Sequence, residues 1–218
     1  MPSQTSGDLG QNIVKIVDSK ARLYGTGFFV EIKHNKYCIT CQQCLYKLES
    51  VYVEKDGVKC PAERIEEFSD MKKDFAVLNV NGYDTINVKP LLYAKEAMPK
   101  LPVLVWGFSV TELETFPQGS PLENTELSSD DFGFQWKEEH AKGNKKWNKK
   151  PLVSVRVFRL SGKFDVGYSG TPVCYTYNNK VIGVFTAKDN NFGYVIPIET
   201  ILAKFEEENK IVNSHHPR

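Results

Sequence analysis

Residues 25–32 read GTGFFVEI, a run of aromatic and β-branched residues that predicts a β-strand. The polar residues 34–36 (HNK) follow as a turn, and residues 37–40 (YCIT) predict the return strand. These two segments therefore predict a β-hairpin, the basic unit of an antiparallel sheet.

Short strand-like segments recur on both sides of this hairpin, with turn residues between them. The end of the chain differs, because Ile198, Ile201 and Phe205 recur at helical spacing and predict a helix over residues 198–210. Many short strands with one terminal helix predict an all-β domain, built as barrels or as a sandwich. The other predicted strands lie at residues 14–17, 51–54, 74–80, 101–107, 152–158, 171–177, 180–187 and 192–197.

Residues 109–150 interrupt the strand pattern. They are rich in Glu, Asp, Lys, Ser and Asn, and they show little alternation of apolar and polar residues. We therefore predict a long insertion loop there. Residues 1–10 predict a flexible N-terminal tail and residues 211–218 a C-terminal tail, which leaves residues 11–210 as the folded domain.

The composition is that of an ordinary globular protein, with 218 residues and a formal net charge of +1. So small a net charge gives no global field that would attract nucleic acid or a membrane. The sequence contains no apolar run of about 18 residues, and its first residues are polar. We therefore expect a cytoplasmic or nuclear protein without a membrane partner.

Five cysteines, an odd number, favour reduced thiols over a disulfide framework in such a compartment. Cys38, Cys41 and Cys44 are spaced by three residues, which suggests a zinc site. The pattern lacks a further pair of ligands at zinc-finger spacing, and side chains on a strand and its following turn do not all converge. Buried free cysteines are therefore favoured, and no metal or cofactor is predicted.

Three separated motifs suggest a specific fold. Residues 25–30 (GTGFFV) precede residues 38–45 (CITCQQCL), residues 74–78 read DFAVL, and residues 167–172 read GYSGTP. In this order they resemble the Gly-Ser-Gly-Phe strand with its Thr-x-x-His segment, the aspartate segment and the Gly-x-Ser-Gly-Gly-Pro nucleophile turn of trypsin-like (chymotrypsin-fold) serine proteases. The closing strands, over residues 180–184 and 193–197, resemble the high-temperature-requirement branch of that family.

The resemblance implies two packed six-stranded Greek-key β-barrels with a C-terminal helix. The N-terminal barrel would cover about residues 11–90 and the C-terminal barrel about residues 91–197. It also implies that Asp74 and Ser169 are the aspartate and the nucleophile of a catalytic triad. Gln43, however, stands where the family has its catalytic histidine.

Glutamine can imitate the shape of this arrangement without its chemistry. We expect the Gln43 amide N–H to donate to Asp74 and its carbonyl to accept from Ser169. The amide cannot take a proton near neutral pH, so general base catalysis is lost. The backbone N–H groups of Gly167 and Ser169 can still form an oxyanion hole.

Two further residues are candidates for the substrate pocket. Lys163 occupies the position, counted from Ser169, where trypsin-type enzymes hold their selectivity residue. If the Lys163 ammonium points into the pocket, it would select a substrate with an acidic side chain. If it points to solvent, it would select nothing. The second arrangement is favoured, because burial of a lysine without a partner is costly. Tyr168 is bulky for its position and is predicted to shape the rim of the pocket.

The sequence thus favours a catalytically impaired pseudo-protease that binds a protein or peptide as a scaffold or regulatory module. It favours a protein without enzymatic activity. The first alternative is an active serine protease that uses Ser169 with a non-standard base, such as His140 or one supplied by a partner. The second is nucleic-acid binding through the loop Lys142–Lys150, where lysines surround Trp147, although acidic neighbours favour a solvated loop. The sequence indicates no oligomeric state.

Overall fold

The computed structural model describes residues 6–46, 48–98, 101–108, 125–141, 144–161, 164, 167–188 and 192–214. Within these ranges the backbone alone is described for residues 6–8, 125–141, 144–156, 161, 192 and 208–214.

The first six strands close into an antiparallel barrel. The strand order around it is β1-β2-β3-β6-β5-β4, and pairing of β1 with β4 closes the circle. The predicted hairpin is the pair β2–β3, in which Phe28 faces Ile39 and Ile32 faces Asn35. The strands are β1 (Ile13–Val17), β2 (Leu23–Ile32), β3 (Asn35–Thr40), β4 (Val51–Lys55), β5 (Val58–Arg64) and β6 (Ala76–Val80).

The next six strands form a second closed antiparallel barrel with the order β10-β11-β12-β9-β8-β7. Each barrel encloses buried side chains, as expected when closure removes the free edges of a sheet. The predicted double-barrel architecture is therefore confirmed. The strands are β7 (Pro102–Val105), β8 (Thr125–Ala141), β9 (Asn144–Ser161), β10 (Pro172–Tyr175), β11 (Val181–Lys188) and β12 (Phe192–Pro197).

The predicted insertion loop over residues 109–150 is wrong for residues 125–141 and 144–150, which are strand, and its remaining residues lie outside the described part of the chain. Strands β8 and β9 pair along most of their length, with Phe134 opposite Val153 and Ala141 opposite Asn144. Paired strands are held by backbone hydrogen bonds, which any non-proline residue can make. A polar strand can therefore form without the alternation of apolar and polar residues from which strands are predicted.

The two predicted tails are helical where the structure describes them, whereas residues 1–5 and 215–218 lie outside the described residues. Helix α1 (Ser6–Gln11) lies within the N-terminal segment, and Leu9 in it is only 1% exposed. Burial of that leucine contributes about 1.5–3 kcal/mol towards holding the segment against the domain. At the other end, helix α2 (Ile198–Ser214) continues four residues past residue 210.

Helix α2 begins directly after β12 of the second barrel and packs against the first. The ring of Phe205 stacks on Phe68 at 4.2 Å between centroids and lies 5.0 Å from the ring of Tyr37. The helix thus fastens one barrel to the other. No described helix is long and apolar enough to cross a membrane.

Candidate active site

The turn that contains Ser169 lies against β2 of the first barrel. The Ser169 carbonyl accepts a hydrogen bond from the Thr26 N–H at 2.8 Å, and the Thr26 hydroxyl donates to the Gly167 carbonyl at 3.0 Å. Gly170 has φ +89°, and a Cβ added there would lie 1.9 Å from the Thr26 carbonyl oxygen. Only glycine fits so close an approach in this backbone conformation, so Gly170 sets the position of Ser169 between the barrels.

Gln43 lies on a single 3₁₀ turn (Gln42–Cys44) that follows β3. Its backbone N–H donates to Asp74 Oδ1 at 2.9 Å, and its side-chain Nε2 donates to Ser169 Oγ at 3.1 Å. The same Nε2 also donates to the Thr186 carbonyl oxygen. The structure therefore brings Gln43, Asp74 and Ser169 together in one cluster.

Asp74 precedes β6 and is 2% exposed. Its φ of +58° is unusual for a residue with a side chain, and the backbone there is held by a bond from the Gln42 N–H to the Asp74 carbonyl. The carboxylate accepts from the Gln43 N–H through Oδ1 and from the Thr186 hydroxyl through Oδ2. Such bonds are needed to offset the cost of burying a carboxylate.

The side chain of Gln43 is oriented opposite to the sequence-based expectation. A carbonyl oxygen can only accept, so the bond to the Thr186 carbonyl requires the NH₂ end of the amide to face the site. That NH₂ donates to Ser169 Oγ, and Asp74 receives the backbone N–H of Gln43 instead of its side chain.

The hydroxyl of Ser169 has an acceptor, but not a base. Oγ lies 3.3 Å from the Thr186 carbonyl oxygen and donates to it, while Oγ accepts from Gln43 Nε2. Neither a peptide carbonyl nor an amide nitrogen takes a proton near neutral pH. The described residues around Oγ therefore cannot activate it by general base catalysis.

The backbone beside Ser169 retains donors for an oxyanion. Gly167 has φ +106°, and its carbonyl is turned towards the Thr26 hydroxyl. Among the residues that the structure describes, the N–H groups of Gly167 and Ser169 donate no hydrogen bond. These two groups are the predicted oxyanion hole, and that role stays a prediction.

Thr186 is a site residue that sequence reasoning missed. Its hydroxyl donates to Asp74, and its carbonyl oxygen receives both Gln43 and Ser169. The side chain is fully buried on β11. A threonine within the apolar run Val181–Ala187 was the available signal, because a buried hydroxyl needs a hydrogen-bond partner.

The other candidate residues are distributed as follows. Tyr168 is 6% exposed and lies in the buried cluster of the second barrel, and its predicted role at a pocket rim stays a prediction. Lys163 lies outside the described residues. The same holds for Lys142, and for the side chains of His140 and the rest of the Lys142–Lys150 segment.

The five cysteines are free and buried. Cys41 Sγ donates to the Phe185 carbonyl at 3.0 Å, and Cys44 Sγ donates to the Ser169 carbonyl at 3.4 Å. Burial raises the pKa of the Cys41 thiol well above its ordinary value, and the neighbouring Cys44 and Asp74 raise it further. Among the described residues, no group of three or more His, Cys, Asp or Glu side chains is placed to hold a metal ion.

Solved structures identify the fold. The chain is similar to the active form of the Rv3671c protease from M. tuberculosis, with a TM-score of 0.64 and 18% identity over 92% of this chain and 82% of that one. It is similar to the MamO protease domain from Magnetospirillum magneticum, with a TM-score of 0.60 and 17% identity over 90% and 96% of the two chains. It is also similar to the serine endoprotease from Yersinia pestis, with a TM-score of 0.62 and 17% identity over 98% and 69%.

No protein-family model matches the sequence, and no curated protein matches it significantly. The structural likenesses show that the chain has the trypsin-like, chymotrypsin-type fold of serine proteases, as its sequence motifs predict.

The comparisons correct one expectation. The sequence favoured a protein without enzymatic activity, but the solved structures that share its fold are serine proteases, including the active Rv3671c protease and the Y. pestis endoprotease. That expectation rested on a single position, Gln43 in the place of the family's histidine.

Proposed function

We propose that this chain is a peptide-binding serine protease domain whose hydrolytic turnover is impaired. The observation that supports the proposal is the 3.1 Å bond from Gln43 Nε2 to Ser169 Oγ. It places an amide donor where general base catalysis requires a proton acceptor, next to the serine that would act as the nucleophile.

An extended peptide fits the edge of β11 beside Ser169. Strand β10 pairs with β11 as far as Val184, whereas β12 pairs with it up to Lys188. Ala187 and Lys188 therefore extend past β10 and present backbone groups to which a peptide can add as a further strand. A carbonyl of that peptide would contact Ser169 Oγ and point its oxygen at the Gly167 and Ser169 N–H groups.

The chemical step shows where this site is deficient. Attack forms a bond from Ser169 Oγ to the carbonyl carbon, the carbon–nitrogen bond then breaks, and water later hydrolyses the acyl-serine. The Oγ proton must leave and the departing amine must gain a proton, and histidine performs both transfers in a complete triad. Loss of a triad member leaves about 10³–10⁴-fold acceleration over water, which comes from binding and the oxyanion hole.

A fluorophosphonate that carries no amino-acid side chain tests the proposal. It should label wild-type protein slowly, the Ser169→Ala variant not at all, and the Gln43→His variant faster than wild type by about 100-fold or more. The Gln43→Ala variant is the matched control, because it empties the same position without adding a base.

Two results would overturn the proposal. Wild-type labelling as fast as that of Gln43→His would show that another base serves Ser169, so the domain is a fully active protease. Absence of Ser169-dependent labelling in both proteins, with folding confirmed by circular dichroism, would show that Ser169 is not a nucleophile.

A further inference from the structure

Strands β8 and β9 continue well past the second barrel. Strand β8 pairs with β7 only at Thr125 and Glu126, and β9 pairs with β12 only from Phe158 to Ser161. Beyond those positions, the two strands pair only with each other among the strands that the structure describes. Residues 130–141 and 144–157 therefore form a two-stranded ribbon, about 40 Å long at about 3.3 Å per residue, which is referred to here as the β-arm.

The positive charge of the chain is concentrated at the tip of the β-arm, which is defined here as residues 135–141 and 144–150. The tip contains five lysines and two glutamates, which gives it a formal charge of +3. The whole chain has a formal net charge of +1, so all the other residues together have −2. The tip therefore offers a polyanion a local attraction that the net charge of the chain conceals.

The register of the tip sorts its residues into two faces. Successive residues of a strand alternate between the faces, and residues directly opposite one another share a face. Trp136 lies opposite Lys149 and Glu138 lies opposite Trp147, in a part of the ladder without a register shift. Both tryptophans are therefore on one face, referred to here as the tryptophan face, at diagonal positions about 7–8 Å apart.

The same register distributes the charges of the tip between the two faces. Lys145 and Lys149 share the tryptophan face. Glu139 lies opposite Lys146 on the other face, where a cross-strand pair of opposite charge is favourable. Of the two glutamates in the tip, only Glu138 shares the tryptophan face. The acidic neighbours that favour a solvated loop in the sequence therefore oppose an anionic ligand at one position of this face instead of two.

We propose that the tip of the β-arm binds single-stranded nucleic acid on its tryptophan face. Lysines attract the phosphates, and tryptophan provides a flat apolar ring on which an unpaired base of any identity can stack. A duplex keeps its bases stacked on one another, so it gains from the lysines but not from the tryptophans. The ribbon lies beyond the strands that close the barrel, so this binding is independent of the chemistry at Ser169.

Fluorescence anisotropy of the full chain with labelled oligo(dT), oligo(U) and a duplex, each about 20 nucleotides long, tests the inference. At about 50 mM salt we expect both single strands to bind, at least about 5-fold more tightly than the duplex. A duplex that binds as tightly as the single strands would overturn the inference, and so would the absence of binding to any of the three.

The tryptophans are tested one at a time. Trp136→Ala and Trp147→Ala should each weaken binding of the single strands by about 5-fold or more. Tyr177→Ala is the matched control, because Tyr177 is an aromatic residue outside the β-arm, is 62% exposed and should not affect binding. Wild-type affinity in both tryptophan variants would reject the stacking surface. If the alanine variants do not fold, Trp136→Leu and Trp147→Leu retain an apolar side chain without a flat ring and decide the question.

The lysines are tested through the salt dependence of binding. In the double variant Lys145→Gln and Lys149→Gln, the slope of log K against log salt should become shallower by about 1.4, at about 0.7 for each lost phosphate contact. Lys72→Gln removes an exposed lysine in the turn before β6 and should leave the slope unchanged. An unchanged slope in the double variant would contradict the assignment of the phosphate contacts to the tryptophan face.

An anionic membrane is the other polyanion that lysines and tryptophans can bind. Co-sedimentation with phosphatidylserine-containing vesicles, compared with vesicles of phosphatidylcholine alone, separates the two ligands. Sedimentation with the anionic vesicles that is lost in Trp136→Ala and Trp147→Ala, without binding to any oligonucleotide, would overturn the proposal and assign the tip to a membrane surface. Binding to the oligonucleotides without sedimentation would support it.

Discussion

Gln43 Nε2 donates a hydrogen bond to Ser169 Oγ across the junction of the two barrels, at 3.1 Å and over 126 positions of the sequence. The amide is held in this direction by its second bond, to the Thr186 carbonyl. A nucleophile that accepts a bond from its neighbour retains its own proton. Gln43, Asp74 and Ser169 are therefore gathered as the residues of a triad are, and the proposed impairment follows because an amide cannot take the serine proton.

The first prediction is that Gln43→His restores peptidase activity. Asp74 already accepts the backbone N–H of residue 43, so its carboxylate lies within reach of an introduced imidazole. We expect kcat/KM for a peptide substrate to rise by about 100-fold or more. Gln43→Asn, which again provides an amide and no base, should show no gain, and a Gln43→His protein that remains as slow as wild type would contradict the prediction.

The second prediction concerns the Thr186 hydroxyl. Thr186→Val removes the donor to Asp74 Oδ2 and leaves a buried carboxylate with one bond fewer. We expect the free energy of unfolding to fall by about 1–3 kcal/mol, measured by urea denaturation. Thr186→Ser is the control, because it retains the hydroxyl and should lose less unfolding free energy. Equal stability of the valine variant and wild type would show that the bond to Asp74 contributes nothing.

The third prediction separates steric clash from backbone strain at glycine. Gly170 and Gly57 have similar φ values, +89° and +82°, but an added Cβ would strike the Thr26 carbonyl at Gly170 and meet nothing within 4 Å at Gly57. Gly57→Ala should cost about 1 kcal/mol of stability, the usual cost of a left-handed alanine. Gly170→Ala should cost at least about 4 kcal/mol or prevent folding, measured by the same denaturation. Similar losses in the two variants would contradict the packing described for the serine turn.

The fourth prediction is a loss of stability in alkaline solution. Burial raises the pKa of the thiols of Cys38, Cys41 and Cys174 above their ordinary value of 9.0. Above that pH the unfolded chain loses thiol protons that the folded chain retains, so unfolding is favoured. The stabilisation is complete below pH 9.0 and is lost as pH rises, by up to about 1.4 kcal/mol per pH unit for each thiol.

Urea denaturation under reducing conditions, at about pH 8 and about pH 10, measures this loss. Cys174→Ala removes one of the three thiols whose pKa is raised and should reduce the dependence on pH. An unchanged slope in that variant would show that the buried cysteines are not its source.

The sequence predicted the fold through short, local signals. The hairpin of β2 and β3 follows from residues 25–40, because strand propensity and turn residues act over a few positions. The glycines of the serine turn have positive φ values that other residues rarely adopt, so they mark that turn in the sequence. The order of the motifs then predicted which barrel contributes each of the three site residues.

Strand β8 and residues 144–151 of β9 were missed, whereas residues 152–158 of β9 were predicted as a strand, because backbone hydrogen bonds leave no signature in a polar sequence. The same limit applies to the terminal helix α1, whose single buried leucine gives no periodic pattern.

By itself, then, the sequence determined that this is a double-barrel domain with Gln43, Asp74 and Ser169 at its site, since those features depend on local patterns and residue identity. Only the tertiary structure decided which end of the Gln43 amide faces Ser169 and that Thr186 joins the network. Each of these depends on contacts between residues far apart in the chain, such as the bond between Thr186 and Asp74 across 112 positions. Side-chain direction and packing arise only when both barrels are assembled, because neither is encoded within a few neighbouring residues.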